Sequence, residues 1–115
     1  MAKECVFCDY RGPSEVMAEL DNSYIIDPIN PVVQGHRLVV SKAHLRDALH
    51  NASLTALTMK DAVRFAQGQG YGRDSLNVNF ITSVGTAATQ TVEHLHIHIV
   101  PRRENDGIHL PWTEQ

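Results

Sequence analysis

The 115-residue sequence predicts an α+β domain, a mostly antiparallel sheet of about five strands with one main helix and one short helix. Three observations lead there. Histidine and aliphatic residues alternate without a break from His94 to Ile99, the period of a strand. Residues 53–66 carry the wider apolar spacing of a helix, behind a serine able to cap it. Short runs of β-branched and aromatic residues, punctuated by turn residues, stand on both sides of that helix.

Taken in order, Arg11, Gly12, Pro13 and Ser14 read as a turn. Val16 to Leu20 and Tyr24 to Ile26 then flank Asp21, Asn22 and Ser23 as the two arms of a hairpin. Asp27-Pro28-Ile29-Asn30-Pro31 is an extended loop, because each proline fixes its own φ and restricts the residue before it. Gly35 introduces a strand, His36 to Val40. Residues 45–50 fit one short helical turn. Ser53 is the expected N-cap of the main helix, with Leu54, Leu57, Val63 and Phe65 as core candidates and Gly68, Gly70 and Gly72 ending it. Leu76, Val78 and Phe80 alternate with polar residues as a further strand. A Gly/Thr/Ala loop, Ser83 to Thr89, precedes the histidine run. Trp112 and its neighbours form a tail that could pack back.

Length and the absence of any linker or repeat make residues 1–115 one domain. A net charge of −3 provides no basic field for nucleic acid or an anionic membrane, so a phosphate site here must be built from a few aimed groups. No apolar run approaches a membrane span or a signal-peptide core, and the expectation is a cytoplasmic protein. Two cysteines, Cys5 and Cys8, are too few for a disulfide scaffold, which leaves metal binding, redox chemistry or plain thiols.

If residues 94–100 are extended, Leu95, Ile97 and Ile99 fill one face, and His94, His96 and His98 line the other at intervals of about 6.5–7 Å. Imidazole has no special preference for strands, so three in register opposite three aliphatic residues point to metal binding or imidazole chemistry. One strand cannot close a tetrahedral site with all three rings, so they divide their duties.

Gln90-Thr91-Val92-Glu93-His94-Leu95-His96-Ile97-His98-Ile99-Val100 resembles the signature of the histidine-triad family, Q-[ST]-V-x-H-x-H-x-H. Gly35-His36-Arg37-Leu38-Val39-Val40-Ser41-Lys42-Ala43-His44 is similar to the family's G-H-x-L-h-h-P-K-x-H segment, with Ser41 where proline is usual and little consequence expected. Cys5-Val6-Phe7-Cys8 matches the C-x-F-C of its zinc-containing members.

The resemblance implies a hydrolase or transferase acting at the α-phosphate of a nucleotide conjugate. Its partner would be a purine nucleotide, with a homodimer as the family's frequent assembly. It makes His96 the nucleophile, forming a nucleotidyl-imidazole, and neutral imidazole at pH 7 suits that role. His98 would contact the α-phosphate or protonate the leaving group, His36 is the fourth phosphate-facing histidine, and Gln90 would donate an amide N–H to the leaving-group bridge or a phosphate oxygen. Several neutral donors could then replace a lysine or arginine clamp.

The family's ribose contact falls at Pro28 here, a one-residue shift that passes the role to Asp27 or Asn30. Asn79, Ser83 and Thr89 lie near the phosphate-loop positions. For zinc the implied ligands are Cys5, Cys8, His44 and His94, a structural site that would fix the His94 ring and so position His96. Phe7, Ile25, Ile26 and Leu38 could wall a base pocket. His50, His109 and the Arg102-Arg103 pair read as surface or rim residues. Two rival classes remain: a nucleotide-binding or sensor module of the same fold without catalysis, and a structural zinc module, which leaves His96, His98 and His36 without a purpose.

Overall fold

The structure, a computed structural model, describes residues 5–8, 16–73 and 76–113. The turn expected at residues 11–14 lies outside the described residues. Among the described residues five strands form one antiparallel sheet in the order β1-β2-β3-β5-β4. They are β1 (Val16–Glu19), β2 (Ser23–Ile26), β3 (Arg37–Ser41), β4 (Asn77–Ile81) and β5 (His96–Arg102), with one helix, α1 (Ala52–Gly68), between β3 and β4. The fold class, the hairpin and the strands on either side of the helix are as the sequence predicts.

The helix begins two residues earlier than expected. Asn51, not Ser53, is the N-cap, its side chain accepting the Leu54 N–H at 2.9 Å. Either residue has the oxygen a cap needs, and the one with an amide N–H in reach sets the start. Its buried stripe also differs, comprising Thr58, Asp61, Ala62 and Ala66, while Leu57 and Val63 face outward. Two alanines on that stripe let the axis lie close against β3 and β5. Leu54 and Phe65 are half-buried at its flanks. Asp61 is buried and fastens the helix to the hairpin, accepting the Asn22 N–H at 2.9 Å and the Ser23 hydroxyl at 2.8 Å. The short helical turn expected at residues 45–50 is instead a hydrogen-bonded turn, in which the Asp47 carboxylate takes the Leu49 N–H. A 3-10 turn, Thr86–Ala88, occurs in the loop after β4.

Strand alternation divides the apolar residues between the two sheet faces. Ile25, Val39, Leu95, Ile97 and Ile99 pack with Leu45 and Ala62 on the helix side. Tyr24, Ile26, Leu38 and Val40 cluster with Phe7 on the other. Ile25 therefore belongs to the helix-side core and not to the wall of any pocket beside the histidines. Trp112 is exposed and does not pack back on the sheet. No helix among the described residues is long and apolar enough to cross a membrane.

Candidate active site and metal cluster

β5 lies between β3 and β4, and its register places Val40 opposite His96 and Leu38 opposite His98. The two imidazoles therefore project from the same face as Tyr24, Ile26, Leu38 and Val40, into apolar surroundings. Their ring centroids are 5.3 Å apart. Phe7 stands edge-on to His96 with centroids 5.3 Å apart, and its carbonyl accepts the Tyr24 hydroxyl.

His36 enters from the turn before β3. Gly35 there has φ +90°, which favours glycine, and a β-carbon on it would come within 3.1 Å of Pro101 Cγ, a tight fit. The Val32 N–H donates to His36 Nδ1 at 3.1 Å, and His36 Nε2 lies 2.9 Å from His98 Nδ1. In neutral rings this chain has one consistent proton arrangement. His36 accepts at Nδ1 and so carries its proton on Nε2, which it donates to His98 Nδ1. His98 is then protonated on Nε2, the nitrogen this contact leaves free. Likewise His96 Nδ1 lies 2.7 Å from the carbonyl oxygen of His94 and must donate to it, which leaves the lone pair on His96 Nε2.

Burial keeps these rings uncharged. It is the leading cause of a lowered pKa at His36, with Arg37 adding repulsion, and at His96, where the bond to the His94 carbonyl opposes it. His98 is pushed down to about 4, by burial first and then by the neighbouring His96 and His36.

β5 starts at His96, so His94 lies just before it in a bend. There the Leu95 N–H bonds the Leu45 carbonyl at 2.7 Å and the Ser41 N–H bonds the Leu95 carbonyl at 3.2 Å, drawing the backbone to residues 41–45 instead of a regular ladder. His94 is fully buried. Its Nε2–H donates to the Ser41 carbonyl at 2.7 Å, which turns the Nδ1 lone pair the other way. That nitrogen lies 3.4 Å from Cys5 Sγ, 3.6 Å from Cys8 Sγ and 3.2 Å from His44 Nδ1, while Cys8 Sγ is 2.8 Å from His44 Nδ1.

The four donor atoms lie within 4.8 Å of one another, and both thiols are free. Tetrahedral zinc, with bonds of about 2.0–2.3 Å, sets its ligands roughly 3.3–3.8 Å apart, so the set fits a small divalent cation after a slight opening at Cys8 and His44. Ser41 matters more here than the sequence implied. Besides its carbonyl, its buried hydroxyl donates to the Ala43 carbonyl at 2.7 Å and lies 3.3 Å from His94 Nε2.

The remaining candidates are dispersed. Gln90 is wholly engaged by backbone: its Nε2 donates to the carbonyls of Arg46 at 2.8 Å and Val92 at 3.0 Å, and its Oε1 accepts the Gly85 N–H at 2.8 Å. It thereby ties the loop after β4 to the segment following His44. Thr89 closes the 3-10 turn in a left-handed conformation with φ 73°, exposed, and Ser83 is half-buried at the start of that loop. Asp27 forms an ion pair with Arg37 at 3.0 Å, and Asn30 is exposed in the loop before His36.

Arg102 is not a solvated rim residue. Its guanidinium holds Asp106 at 2.8 Å, Asn79 at 2.6 Å and the Ile108 carbonyl at 2.7 Å, pinning the segment after β5. This also accounts for Asn79. Sequence reasoning missed Thr82, whose hydroxyl donates to the His96 carbonyl at 2.8 Å. Nothing in a threonine beside a loop announces such a contact.

A HIT domain family model matches residues 11–105. An adenosine 5'-monophosphoramidase of Saccharomyces cerevisiae is 31% identical, over 96% of this chain and 71% of its own length. An adenylylsulfatase of Arabidopsis thaliana is 32% identical over the whole of this chain, which spans 59% of that protein. Among solved structures, a HIT family hydrolase from Clostridium thermocellum superposes with a TM-score of 0.73 at 29% identity, over 91% of this chain and 96% of that one. A HIT family protein from Bacillus anthracis reaches 0.81 at 27% identity, over 99% and 84% respectively.

Proposed function

Because this chain belongs to the HIT domain family, we propose that it cleaves or transfers nucleotide conjugates at the α-phosphate through a covalent intermediate on His96. The conjugate is a nucleoside phosphoramidate or a dinucleoside polyphosphate, with a purine nucleotide as the retained half. The observation that carries this reading is the 2.7 Å hydrogen bond from His96 Nδ1 to the His94 carbonyl, which leaves Nε2 as the nucleophilic nitrogen.

His96 Nε2 attacks the α-phosphorus, and the bond from phosphorus to the leaving group breaks with its electron pair going to that group. His98, with its free Nε2–H, donates a hydrogen bond to the phosphoryl oxygen or the leaving atom, where negative charge develops. His36 keeps His98 in that tautomer and takes its own orientation from the Val32 N–H. Water or another acceptor then attacks phosphorus, the bond to His96 Nε2 breaks, and the imidazole returns neutral. The proton released by water passes through solvent to the departed group. Low pKa values keep all three rings uncharged, so His96 Nε2 keeps its lone pair for attack and the neighbouring rings do not repel one another.

Gln90 acts in this scheme by holding the loop after β4 in place, and donation to the substrate requires it to exchange one of its backbone partners. Ser83 and Thr89 lie on the same loop and offer hydroxyls to phosphate oxygens. Asn30 is the better ribose contact of the two candidates, since Arg37 occupies Asp27. Cys5, Cys8, His44 and His94 would hold zinc, which supplies a structural tie between the N-terminal turn and the start of β5 and no chemistry at phosphorus.

The test is release of AMP from adenosine phosphoramidate and from diadenosine polyphosphates, beside a His96→Ala control. Turnover that falls by about four orders of magnitude in the variant supports the mechanism. Robust release that survives the substitution rejects it, and tight AMP binding without turnover in the unsubstituted protein replaces it with a binding module.

A further inference from the structure

We propose that Thr82 is a positioning residue for His96, acting on the backbone of the nucleophile from the side of the sheet that β4 no longer covers. The β4–β5 register ends at the pair Ile81 and His98, so the ladder stops two residues short of His96. On the other side β3 continues, with Val40 opposite His96. A nucleophile paired to one neighbour only would be free to rock about that edge. The Thr82 hydroxyl occupies the missing ladder position, donating to the His96 carbonyl at 2.8 Å.

His96 is then held from three directions: by β3 through its register, by the His94 carbonyl through its ring, and by Thr82 through its own carbonyl. Threonine suits this position because a β-branched side chain has few accessible χ1 rotamers, so its hydroxyl is aimed at low entropic cost. Thr82 also stands where β4 gives way to the loop ending at Gln90, so movement of that loop reaches the attacking nitrogen through one hydrogen bond. Displacements near 1 Å are enough to matter for an in-line attack.

The inference rests on His96 being the attacking group, so its test has one arm that needs turnover and one that does not. In the first, Thr82→Val keeps the shape and removes the donor, and Thr82→Ser keeps the donor. With adenosine phosphoramidate, Thr82→Val lowers kcat by about tenfold with KM within about twofold, and Thr82→Ser recovers to within about threefold of the starting protein. In the second arm, NMR of the His96 ring reads its geometry directly. The unsubstituted protein gives one set of ring signals with a cross-peak to Phe7, whose ring centroid is 5.3 Å away. Thr82→Val weakens that cross-peak and broadens or doubles the signals.

An unchanged kcat together with unchanged ring signals in Thr82→Val overturns the proposal, as does an equal loss in Thr82→Ser. If the unsubstituted protein releases no AMP, the proposed function fails and the ring spectra alone decide the role of Thr82.

Discussion

His94 and His96 are joined through backbone as well as sequence: the carbonyl of the first holds the ring of the second at 2.7 Å, while the first ring lies among Cys5, Cys8 and His44. Whatever fixes His94 therefore fixes the tautomer of His96. The Cys5, Cys8, His44 and His94 cluster on one side of the bend and the His96 Nε2 lone pair on the other share one peptide unit.

Removing His36 should expose the proton chain. His36→Ala deprives His98 Nδ1 of its donor and frees His98 to adopt either tautomer. The expected loss in kcat for AMP release is about 10- to 100-fold, below that of His96→Ala, because orientation is lost and the nucleophile is kept. A kcat within about twofold of the unsubstituted protein would remove His36 from the mechanism.

Stability should fall in mild acid. His98 and His36 have folded-state pKa values below the ordinary histidine value of 6.5, with His98 at about 4. Folding therefore disfavours their protonation, so the unfolded chain binds protons first as pH drops. The stability present above pH 6.5 is lost progressively as pH falls toward about 4. Denaturant midpoints of metal-free protein across that range measure the effect, and His98→Gln should flatten the slope. A steeper slope in the variant would contradict the assignment.

Metal content should depend on the thiols and, less obviously, on Ser41. Protein purified without chelator should carry close to one equivalent of zinc, and Cys8→Ser less than about a tenth of that. Ser41→Ala keeps the carbonyl that orients His94 but loses the hydroxyl that shapes the turn to His44. Its zinc affinity should drop by about tenfold, as for other residues that orient ligands. Competition with a chromogenic chelator reads both.

Neighbours on β5 should respond in opposite ways. Ile97 is fully buried on the helix side, so Ile97→Ala should cost about 2–5 kcal/mol by chemical denaturation while sparing kcat per folded molecule. His96→Ala, on the other face, should abolish turnover and destabilise by less. Equal stability losses would mean that the two faces are not partitioned as the register indicates.

Much of this was readable from residue order. Period-two alternation from Leu95 to Ile99 tells which side chains share a face, and the glycine before His36 marks where a strand begins. Local pattern failed where the deciding partner is distant in sequence. Gln90 is held by the Arg46 carbonyl, 44 positions away, and Thr82 answers a carbonyl 14 positions away. The alternation also included His94 in the strand, because a bend stabilised by bonds to Leu45 and Ser41 leaves no trace in hydropathy. Ser41 gives as little sign: its carbonyl, which orients His94, is an atom every residue type possesses, and its hydroxyl bonds the Ala43 carbonyl in a turn that hydropathy does not mark. The helix starts two residues before the expected point because Asn51 has the same capping chemistry as Ser53.

The Asp61 carboxylate has a consequence for motion. The Asn22 N–H ends in that acid on α1 and not in the sheet. Its hydrogen exchanges with deuterated solvent only when that bond breaks, so this amide reports the separation of the hairpin turn from the helix.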